Sequence, residues 1–362
     1  MTIPFTSLIN SLPAITPFVG PETLERQHGQ KFKARIGANE SAFGLSPLAA
    51  TAMQTAIAES HWYADPESFE LREALAEKHK VHIDEICVDA GIDSLLGLTV
   101  RMLAGPEETV VTSLGAYPTL NYHVAGFGAQ LVTVPYSQYR EDPVALIAAA
   151  KEHSANLVYL SNPDNPMGTW HDAETVAQMI ASVPKQCVMA LDEAYIDFAD
   201  DNLAPPIDTS NRNVIRFRTF SKAYGMAGQR IGYAIAHRDL ITGFNKIRNH
   251  FGINRIAQIG ALASLQDKDF LPQVRKSVAD ARTQVTTFAA QHGFDSLPSN
   301  TNFVAVDMGN KEAATAMITE LGKRKVFMRM PGVEPLNRFI RVGLGNNSEF
   351  KVFKDAFIDV VK

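Results

Sequence analysis

The chain has little cysteine, no long apolar run and no surplus of positive charge. Cys87 and Cys187 are the only cysteines among 362 residues, so neither a disulfide framework nor a cysteine-based zinc motif is expected. Charges such as Arg101 interrupt the apolar stretches well short of the ~18 residues that a membrane helix needs. Residues 1–15 lack the basic start and apolar core of a signal peptide. With a net charge of −5, we expect a cytoplasmic protein that binds neither nucleic acid nor membrane.

Short β-branched segments alternate with helical stretches over the first two thirds of the chain. This alternation predicts an α/β fold with a seven-stranded, mainly parallel sheet that helices cover on both faces. The predicted strands are residues 86–88, 109–112, 131–134, 157–160, 188–191, 214–217 and 231–235.

The pattern changes after about residue 262. Apolar residues recur at intervals of three and four from Phe270 to Phe288, which predicts a long amphipathic helix ending before Gly293. Residues 302–306 and 339–342 are predicted strands of a smaller α+β domain. The length of the chain also favours two domains. We therefore expect an arm over residues 1–35, a large domain over 36–262 and a small domain over 263–362.

Residues 219–230 (TFSKAYGMAGQR) are the most informative segment. They place Lys222 in a hydroxyl-rich turn eight residues before Arg230. A lysine amine can bond covalently to an aldehyde cofactor, and Thr219, Ser221 and Arg230 offer the donors that a phosphate monoester needs. The cofactor that carries both groups is pyridoxal 5'-phosphate (PLP). Taken alone, the segment also fits a solvated lysine in a loop.

Residues 191–195 (LDEAY) follow a short apolar run and end a predicted strand. Asp192 is placed there to keep a pyridine nitrogen protonated, and Tyr195 to donate to the phenolate oxygen of the same ring. The alternative for Asp192 is a residue that caps the next turn.

Two further segments have the same position after an apolar run. Residues 160–169 (LSNPDNPMGT) form a rigid turn in which Asn165 can share the phenolate oxygen with Tyr195. Residues 88–96 (VDAGIDSLL) lead through a glycine into a helix whose first amides, at Ile92 and Asp93, can hold a phosphate. Either segment alone also fits an ordinary turn. Since open α/β sheets bind ligands at the carboxyl ends of their strands, all these residues are predicted to meet at one edge.

His79, His82 and Glu85 form a rival group of potential metal ligands. No fourth ligand and no HExxH spacing accompany them. We therefore expect no metal site and interpret these residues as solvated side chains at a helix end.

The ordered set of Asn-Pro-x-Gly, Asp-Glu-Ala-Tyr and Ser-Lys with an arginine eight residues on resembles the fold-type I PLP-dependent aminotransferases of class I/II. The resemblance covers nearly the whole chain and is closest to the histidinol-phosphate aminotransferase branch. For that branch it rests on residues 15–20 (ITPFVG), 38–44 (ANESAFG), 62–66 (WYADP), 302–303 (NF) and 328–343.

The resemblance implies a homodimeric enzyme that uses PLP to pass an amino group from a small-molecule donor to an oxo acid. Lys222 is then the catalytic residue, and Tyr117 stacks on the cofactor ring. Tyr63 reaches the cofactor phosphate of the neighbouring subunit. The substrate-binding residues that the resemblance implies are Arg341, Arg329, Asn39 and Phe18.

Histidinol phosphate with 2-oxoglutarate is the leading substrate pair, because two arginines suit a dianion better than a carboxylate. The chain departs from the branch at three places. Phe18 stands where the branch usually has tyrosine, Met167 replaces the usual threonine, and residues 333–336 (VEPL) are not a glycine-rich turn. Two alternatives therefore stay open: an aminotransferase for an aromatic or other amino acid, and a PLP decarboxylase of the threonine-phosphate type.

Overall fold

The structure is a computed structural model that describes residues 3–14, 18–200 and 202–362, so Ile15, Thr16 and Pro17 of the first resemblance motif lie outside the described residues. The described residues contain eleven strands and thirteen α-helices. The strands are β1 (Ala34–Arg35), β2 (Ile86–Asp89), β3 (Thr109–Ser113), β4 (Gln130–Val134), β5 (Leu157–Ser161), β6 (Val188–Asp192), β7 (Val214–Thr219), β8 (Gly232–Ala236), β9 (Phe303–Asp307), β10 (Val326–Phe327) and β11 (Phe339–Gly343). The helices are α1 (Ser7–Ser11), α2 (Pro21–His28), α3 (Pro47–Ala56), α4 (Phe69–His79), α5 (Ile92–Leu103), α6 (Pro118–Phe127), α7 (Pro143–Glu152), α8 (Ala173–Ser182), α9 (Arg238–Ile247), α10 (Arg255–Gln266), α11 (Phe270–Gln291), α12 (Lys311–Lys323) and α13 (Asn347–Val361).

The seven predicted strands form one sheet in the order β2-β8-β7-β6-β5-β3-β4. Only β8 runs in the direction opposite to the other six strands, so the prediction of a mainly parallel sheet is confirmed. The central strands β5 and β6 are buried along their whole length, as near-continuous apolar runs require when both faces of a sheet are covered.

Helices cover both faces of this sheet. On one face α5, α6 and α9 contribute Leu95, Leu120 and Phe244 to the core, while α7 and α8 pack Leu146 and Val176 on the other face. Asp142 and Asp172 begin α7 and α8 by accepting hydrogen bonds from the first free amides of those helices. These crossover helices bring successive strands back in parallel, which places their carboxyl ends at one edge.

The carboxyl-terminal part has its own core. The predicted amphipathic helix is confirmed as α11, whose Val274, Val278 and Phe288 are buried, and the chain turns at Gly293 with φ +81°. β9 and β11 pair antiparallel, and β1 pairs parallel with β10. Residues 34–35 therefore join a strand of the carboxyl-terminal part, while the predicted domain limits stay a prediction.

The amino-terminal arm contains α1 and α2 where the sequence shows little periodicity. Thr6 begins α1 by accepting a hydrogen bond from the Ile9 amide, and Pro21 stands at the first turn of α2. Among the helices of the described ranges, none combines the length and the apolar character that crossing a membrane requires.

The interpretation of His79 as a solvated residue is wrong. Its Nε2 lies 2.9 Å from the hydroxyl of Tyr233, on β8. Burial lowers the pKa of His79 to about 2. His82 and Glu85, in contrast, are exposed or half-buried and cap the short helical turn at Ile83–Glu85. His79 differs from His82 and Glu85 because it contacts β8 in the folded chain. Its partner Tyr233 lies 154 residues away in the sequence, so local pattern could not predict the contact.

Candidate active site

One large cavity of about 910 Å³ opens at the carboxyl ends of β5, β6 and β7. Fourteen of the fifteen candidate residues line it, and Tyr63 is the exception. The fourteen are Phe18, Asn39, Ile92, Asp93, Tyr117, Asn165, Asp192, Tyr195, Thr219, Ser221, Lys222, Arg230, Arg329 and Arg341.

Lys222 lies in the turn that follows β7. Its Nζ donates to the backbone carbonyl of Asn39 at 3.1 Å and lies 5.4 Å from the centroid of the Tyr195 ring. The turn is held by the Ser221 amide, which donates to Thr219 Oγ1 at 3.0 Å. Gly225 has φ +69°, and a Cβ there would lie 1.7 Å from the Gly44 carbonyl oxygen. Only glycine therefore lets this turn approach the 38–44 segment and bring Lys222 to Asn39.

Asp192 ends β6 and is buried. One of its oxygens accepts from the Ala194 amide at 2.9 Å, and the other accepts from the hydroxyl of Tyr159 at 2.8 Å. Burial raises the pKa of Asp192 to about 6, although both hydrogen bonds and the Lys222 charge oppose this shift.

The hydroxyl of Tyr195 is hydrogen-bonded to Asn39. Asn39 Nδ2 donates to the Tyr195 oxygen at 3.0 Å, and Asn39 itself adopts a positive φ of 58°. Asn165, predicted to work beside Tyr195, accepts from Arg341 NH1 at 2.6 Å. Asn39 and Asn165 both line the cavity, so the roles predicted for them in substrate binding and in cofactor binding stay predictions.

Anion donors converge at the start of α5. Arg230 NH1 donates to Ser221 Oγ at 3.4 Å, and its NH2 lies 3.4 Å from Asp93 Oδ2. Gly91 precedes the helix with φ +85°, and a Cβ there would lie 2.7 Å from Arg230 NH2. Glycine is favoured because φ lies in the left-handed region, and its lack of a side chain lets the guanidinium pack on the backbone. Free amides of the helix start, a hydroxyl and a guanidinium therefore face one corner of the cavity.

Tyr117 forms the side of the cavity at the first turn of α6. Its hydroxyl donates to Asp93 Oδ1 at 2.8 Å, and its ring lies 6.2 Å from that of Phe18. Burial raises the pKa of Tyr117 far above its ordinary value, so the hydroxyl stays protonated and remains a donor.

Arg329 and Arg341 are neighbours across an antiparallel bridge, in which the Arg341 amide donates to the Arg329 carbonyl at 2.8 Å. Arg341 also contacts the Gly37 carbonyl, and its Nε has no hydrogen-bond partner. Arg329 donates to the Val19 carbonyl at 2.8 Å and lies 5.2 Å from the centroid of the Phe18 ring. Burial lowers the pKa of both guanidinium groups. Within the described part of the chain, neither arginine forms an ion pair, so both can receive an anion.

Two buried polar residues, Tyr159 and Asp164, lie behind the cavity lining, and the sequence pattern did not predict their contacts. Tyr159 was counted as part of an apolar strand, yet its hydroxyl contacts Asp192. Asp164, in the turn after β5, accepts from Tyr136 at 2.9 Å, and burial raises its pKa to about 7. One feature of the sequence could have indicated the Tyr159 contact. A hydroxyl in a buried strand needs a hydrogen-bond partner, and the neighbouring strand ends in Asp192.

Tyr63 lies outside the cavity of its own chain. It is 78% exposed, and its ring packs against Phe251 with a centroid separation of 4.6 Å. Its backbone carbonyl accepts from Arg255 NH2 at 2.9 Å. The side chain is therefore available to a second molecule.

Known proteins match this chain over almost its entire length. The family described as "Aminotransferase class I and II" matches residues 33–357. Histidinol-phosphate aminotransferase 1 of Nitrosococcus oceani is 33% identical over 331 residues, which are 91% of this chain and 89% of that protein. A crystal structure of histidinol-phosphate aminotransferase from Sinorhizobium meliloti in complex with pyridoxal-5'-phosphate is 47% identical, with a TM-score of 0.97 over 100% of this chain and 98% of that one. Aspartate aminotransferase from Thermus thermophilus shares the fold at 20% identity, with a TM-score of 0.82 over 99% and 100% of the two chains. The chain belongs to the class I and II aminotransferase family.

Proposed function

We propose that this protein is a PLP-dependent aminotransferase that moves the amino group of histidinol phosphate to 2-oxoglutarate, and that it acts as a cytoplasmic homodimer. The observation that carries the proposal is the pair of Arg329 and Arg341, which face the cavity of Lys222 and Asp192 without a carboxylate partner. The names of the Nitrosococcus and Sinorhizobium proteins support the same reaction.

The residues at the floor of the cavity fit PLP. Lys222 offers an amine, Asp192 a buried carboxylate for a ring nitrogen, and Tyr195 with the amide nitrogen of Asn165 donors for a ring oxygen. The corner between Arg230 and the start of α5 fits a phosphate, because Gly91 leaves the amides open and Ser221 and Thr219 lie beside it. When bound, PLP supplies an aldehyde that receives the amino group and a ring that accepts electrons from the substrate carbon.

The chain's own groups then divide the chemistry. Lys222 Nζ is the general base that takes the proton from the substrate carbon bearing the amino group. Asp192, held by Tyr159 and Ala194, keeps a proton on the ring nitrogen. Tyr117, anchored to Asp93, orients the ring from the side of α6.

Arg329 and Arg341 select the donor. A phosphate has three oxygens and two negative charges, so it can accept from both guanidinium groups at once. Partial desolvation strengthens such pairing, because the two arginines are half-buried and keep donors free for a ligand. A simple carboxylate carries one negative charge and therefore pairs mainly with one of the two guanidinium groups, Arg341.

A panel of amino donors tests the reaction. The protein, loaded with PLP, is given 2-oxoglutarate with histidinol phosphate, histidinol, phenylalanine or threonine phosphate, while glutamate and carbon dioxide are measured. We expect glutamate from histidinol phosphate at a far higher kcat/KM than from histidinol, its matched control without phosphate. Similar values for histidinol phosphate and histidinol, or faster turnover of phenylalanine, would favour the amino-acid aminotransferase. Carbon dioxide without glutamate would favour the decarboxylase.

The dimer is tested through Tyr63, which we propose to reach the cofactor phosphate of the partner subunit. Its 78% exposure leaves the hydroxyl free for that contact. A Lys222→Ala chain and a Tyr63→Phe chain, each of low activity, are mixed and refolded together. One intact site in each mixed dimer should restore activity well above that of either variant. A monomer with full activity in sedimentation and kinetic measurements would contradict the proposal.

A further inference from the structure

Tyr159 and Asp192 lie on neighbouring parallel strands. In the register of β5 and β6, Tyr159 faces Ala190 and Ser161 faces Asp192. The Tyr159 hydroxyl reaches forward along the sheet and donates to Asp192 Oδ2 at 2.8 Å, while the Ala194 amide donates to Oδ1 at 2.9 Å. One donor on each oxygen fixes the plane of the carboxylate and leaves a lone pair on each oxygen for a third partner.

The surroundings of Asp192 oppose its negative charge. Asp93 on α5 adds negative potential at Asp192, and the buried carboxyls of Glu141 before α7 and Asp164 after β5 add more when they are ionised. Lys222, after β7, is the cation that opposes them. Burial acts in the same direction as the acidic neighbours, so the ionised form of Asp192 depends on the few donors that contact it.

Of the two hydrogen-bond donors to Asp192, Tyr159 is the one that donates from a side chain. The residue is fully buried, and burial holds the pKa of its hydroxyl well above the ordinary value, so the proton stays on the tyrosine. A hydrogen bond donated to a carboxylate stabilises the ionised form and makes the carboxylate a weaker base. A weaker base beside a ring nitrogen leaves the proton on the nitrogen.

We propose that Tyr159 is a positioning residue that keeps Asp192 ionised and oriented. The proton between Asp192 and the cofactor ring then stays on the ring nitrogen. This proposal rests on the proposed function, because it assigns a ring nitrogen to Asp192. A tyrosine that only fills the core between β5 and β6 is the competing explanation, since Tyr159 also packs in the apolar cluster under α5.

Tyr159→Phe separates the two explanations because it keeps the ring and removes the hydroxyl. The readout is the ¹⁵N chemical shift of PLP labelled at the ring nitrogen and bound to the protein between pH 6 and pH 9. We expect a protonated nitrogen in the wild type and a shift toward the unprotonated value in Tyr159→Phe, with Asp192→Asn as the reference for complete loss. The kcat should fall about tenfold or more, with little change in the KM of the donor.

Tyr136→Phe is the matched control. It removes a hydroxyl that donates to another buried carboxylate, Asp164, at 2.9 Å. The ¹⁵N shift should stay at the wild-type value in this variant. A ¹⁵N shift that Tyr159→Phe leaves unchanged, or that Tyr136→Phe changes equally, would overturn the positioning role.

A second measurement does not depend on PLP. In the protein without cofactor, the ¹³C signal of the Asp192 carboxyl, identified by its loss in Asp192→Asn, should titrate at higher pH in Tyr159→Phe than in the wild type. An unchanged titration would also overturn the proposal. Failure of the donor panel to give glutamate, together with a displaced Asp192 titration, would refute the transamination and leave the Tyr159 contact established.

Discussion

The floor and the wall of the cavity are held in different ways. The floor consists of Asp192 and Thr219, which end strands of the seven-stranded sheet, and of Lys222, which follows one. All three bond to the backbone or to hydroxyl groups nearby. The wall consists of Arg329 and Arg341, which meet across one antiparallel bridge in the carboxyl-terminal part and form no ion pair in the described ranges. The floor is therefore organised by the protein alone, whereas the wall keeps unused donors that an anionic ligand would complete.

The largest effect is expected at the floor. Lys222→Ala removes the amine that bonds with the cofactor and moves the proton, so turnover should fall at least about 10⁴-fold for every donor. Glutamate formation measures the loss. Because the floor serves every substrate, a Lys222→Ala loss confined to histidinol phosphate would break the distinction between floor and wall.

Covalent labelling checks the same assignment. Borohydride reduction of the wild-type protein loaded with PLP, followed by mass spectrometry of its peptides, should find the label on Lys222. A label on another lysine would show that the assigned floor is wrong.

A selective effect is expected at the wall. Arg329→Ala leaves a desolvated phosphate with one guanidinium, which should cost about 2 to 5 kcal/mol of binding. The KM for histidinol phosphate should then rise about 30-fold or more, while that for phenylalanine should change little. Steady-state kinetics on both donors measures the difference.

Arg338→Ala is the control for that variant, because Arg338 pairs with Asp307 at 2.8 Å and does not line the cavity. Its kinetics should match the wild type. An equal rise of KM for both donors in Arg329→Ala would assign this arginine to a carboxylate and move the proposal to the amino-acid aminotransferase.

Stability should respond in opposite directions to the loss of a free and of a paired arginine. Arg341→Met removes a buried guanidinium without an ion pair and should raise the free energy of unfolding by about 1 kcal/mol. Arg216→Met removes the more distant arginine partner of buried Glu193, at 3.8 Å, and should lower it by about 1 to 3 kcal/mol, since Arg218 stays at 2.9 Å. Urea unfolding of the protein without cofactor measures both. Destabilisation of similar size in the two variants would show that the protein itself holds Arg341 of the wall as firmly as the ion-paired Arg216.

A pH-dependent effect is expected where α4 packs on β8, outside the cavity. The pKa of His79 is about 2 in the folded chain, against an ordinary value of 6.5. As pH falls below about 6.5, the unfolded chain binds a proton that the folded histidine does not, so this contribution to stability is present above pH 6.5 and is lost toward lower pH. Between pH 7.5 and 5.5 the wild type should lose about 1.4 kcal/mol more than His79→Gln. Parallel urea midpoints for the two proteins would contradict the burial of His79.

Local pattern was sufficient for the sheet and for much of the floor. Each of the seven strands is a short apolar segment between helical stretches, and each was placed to within a few residues. Lys222 and Arg230 belong to one turn, so their eight-residue spacing already limits how far apart they can lie. Asp192 and Asn165 were predicted to lie at the same site because each comes at or after the end of a strand, and parallel strands end at the same edge of a sheet.

Partners that are distant in the chain could not be predicted in the same way. Asn39 and Tyr195 lie 156 residues apart, and nothing near either residue indicates that they hydrogen-bond. Asn165 likewise contacts Arg341, which lies 176 residues further along the chain. His79 looked solvated because its contact with Tyr233 exists only after α4 packs on β8.

The sequence by itself determined the element types, the mainly parallel sheet and the chemical identity of the floor, because hydrophobic period and strand-end position are local properties. Only the tertiary structure decided that Tyr159 contacts Asp192, that Asn39 contacts Tyr195 and that two arginines face the cavity without carboxylate partners. Hydrogen bonds, burial and the pKa shifts that follow depend on which distant segments share a buried space, and packing alone sets that arrangement.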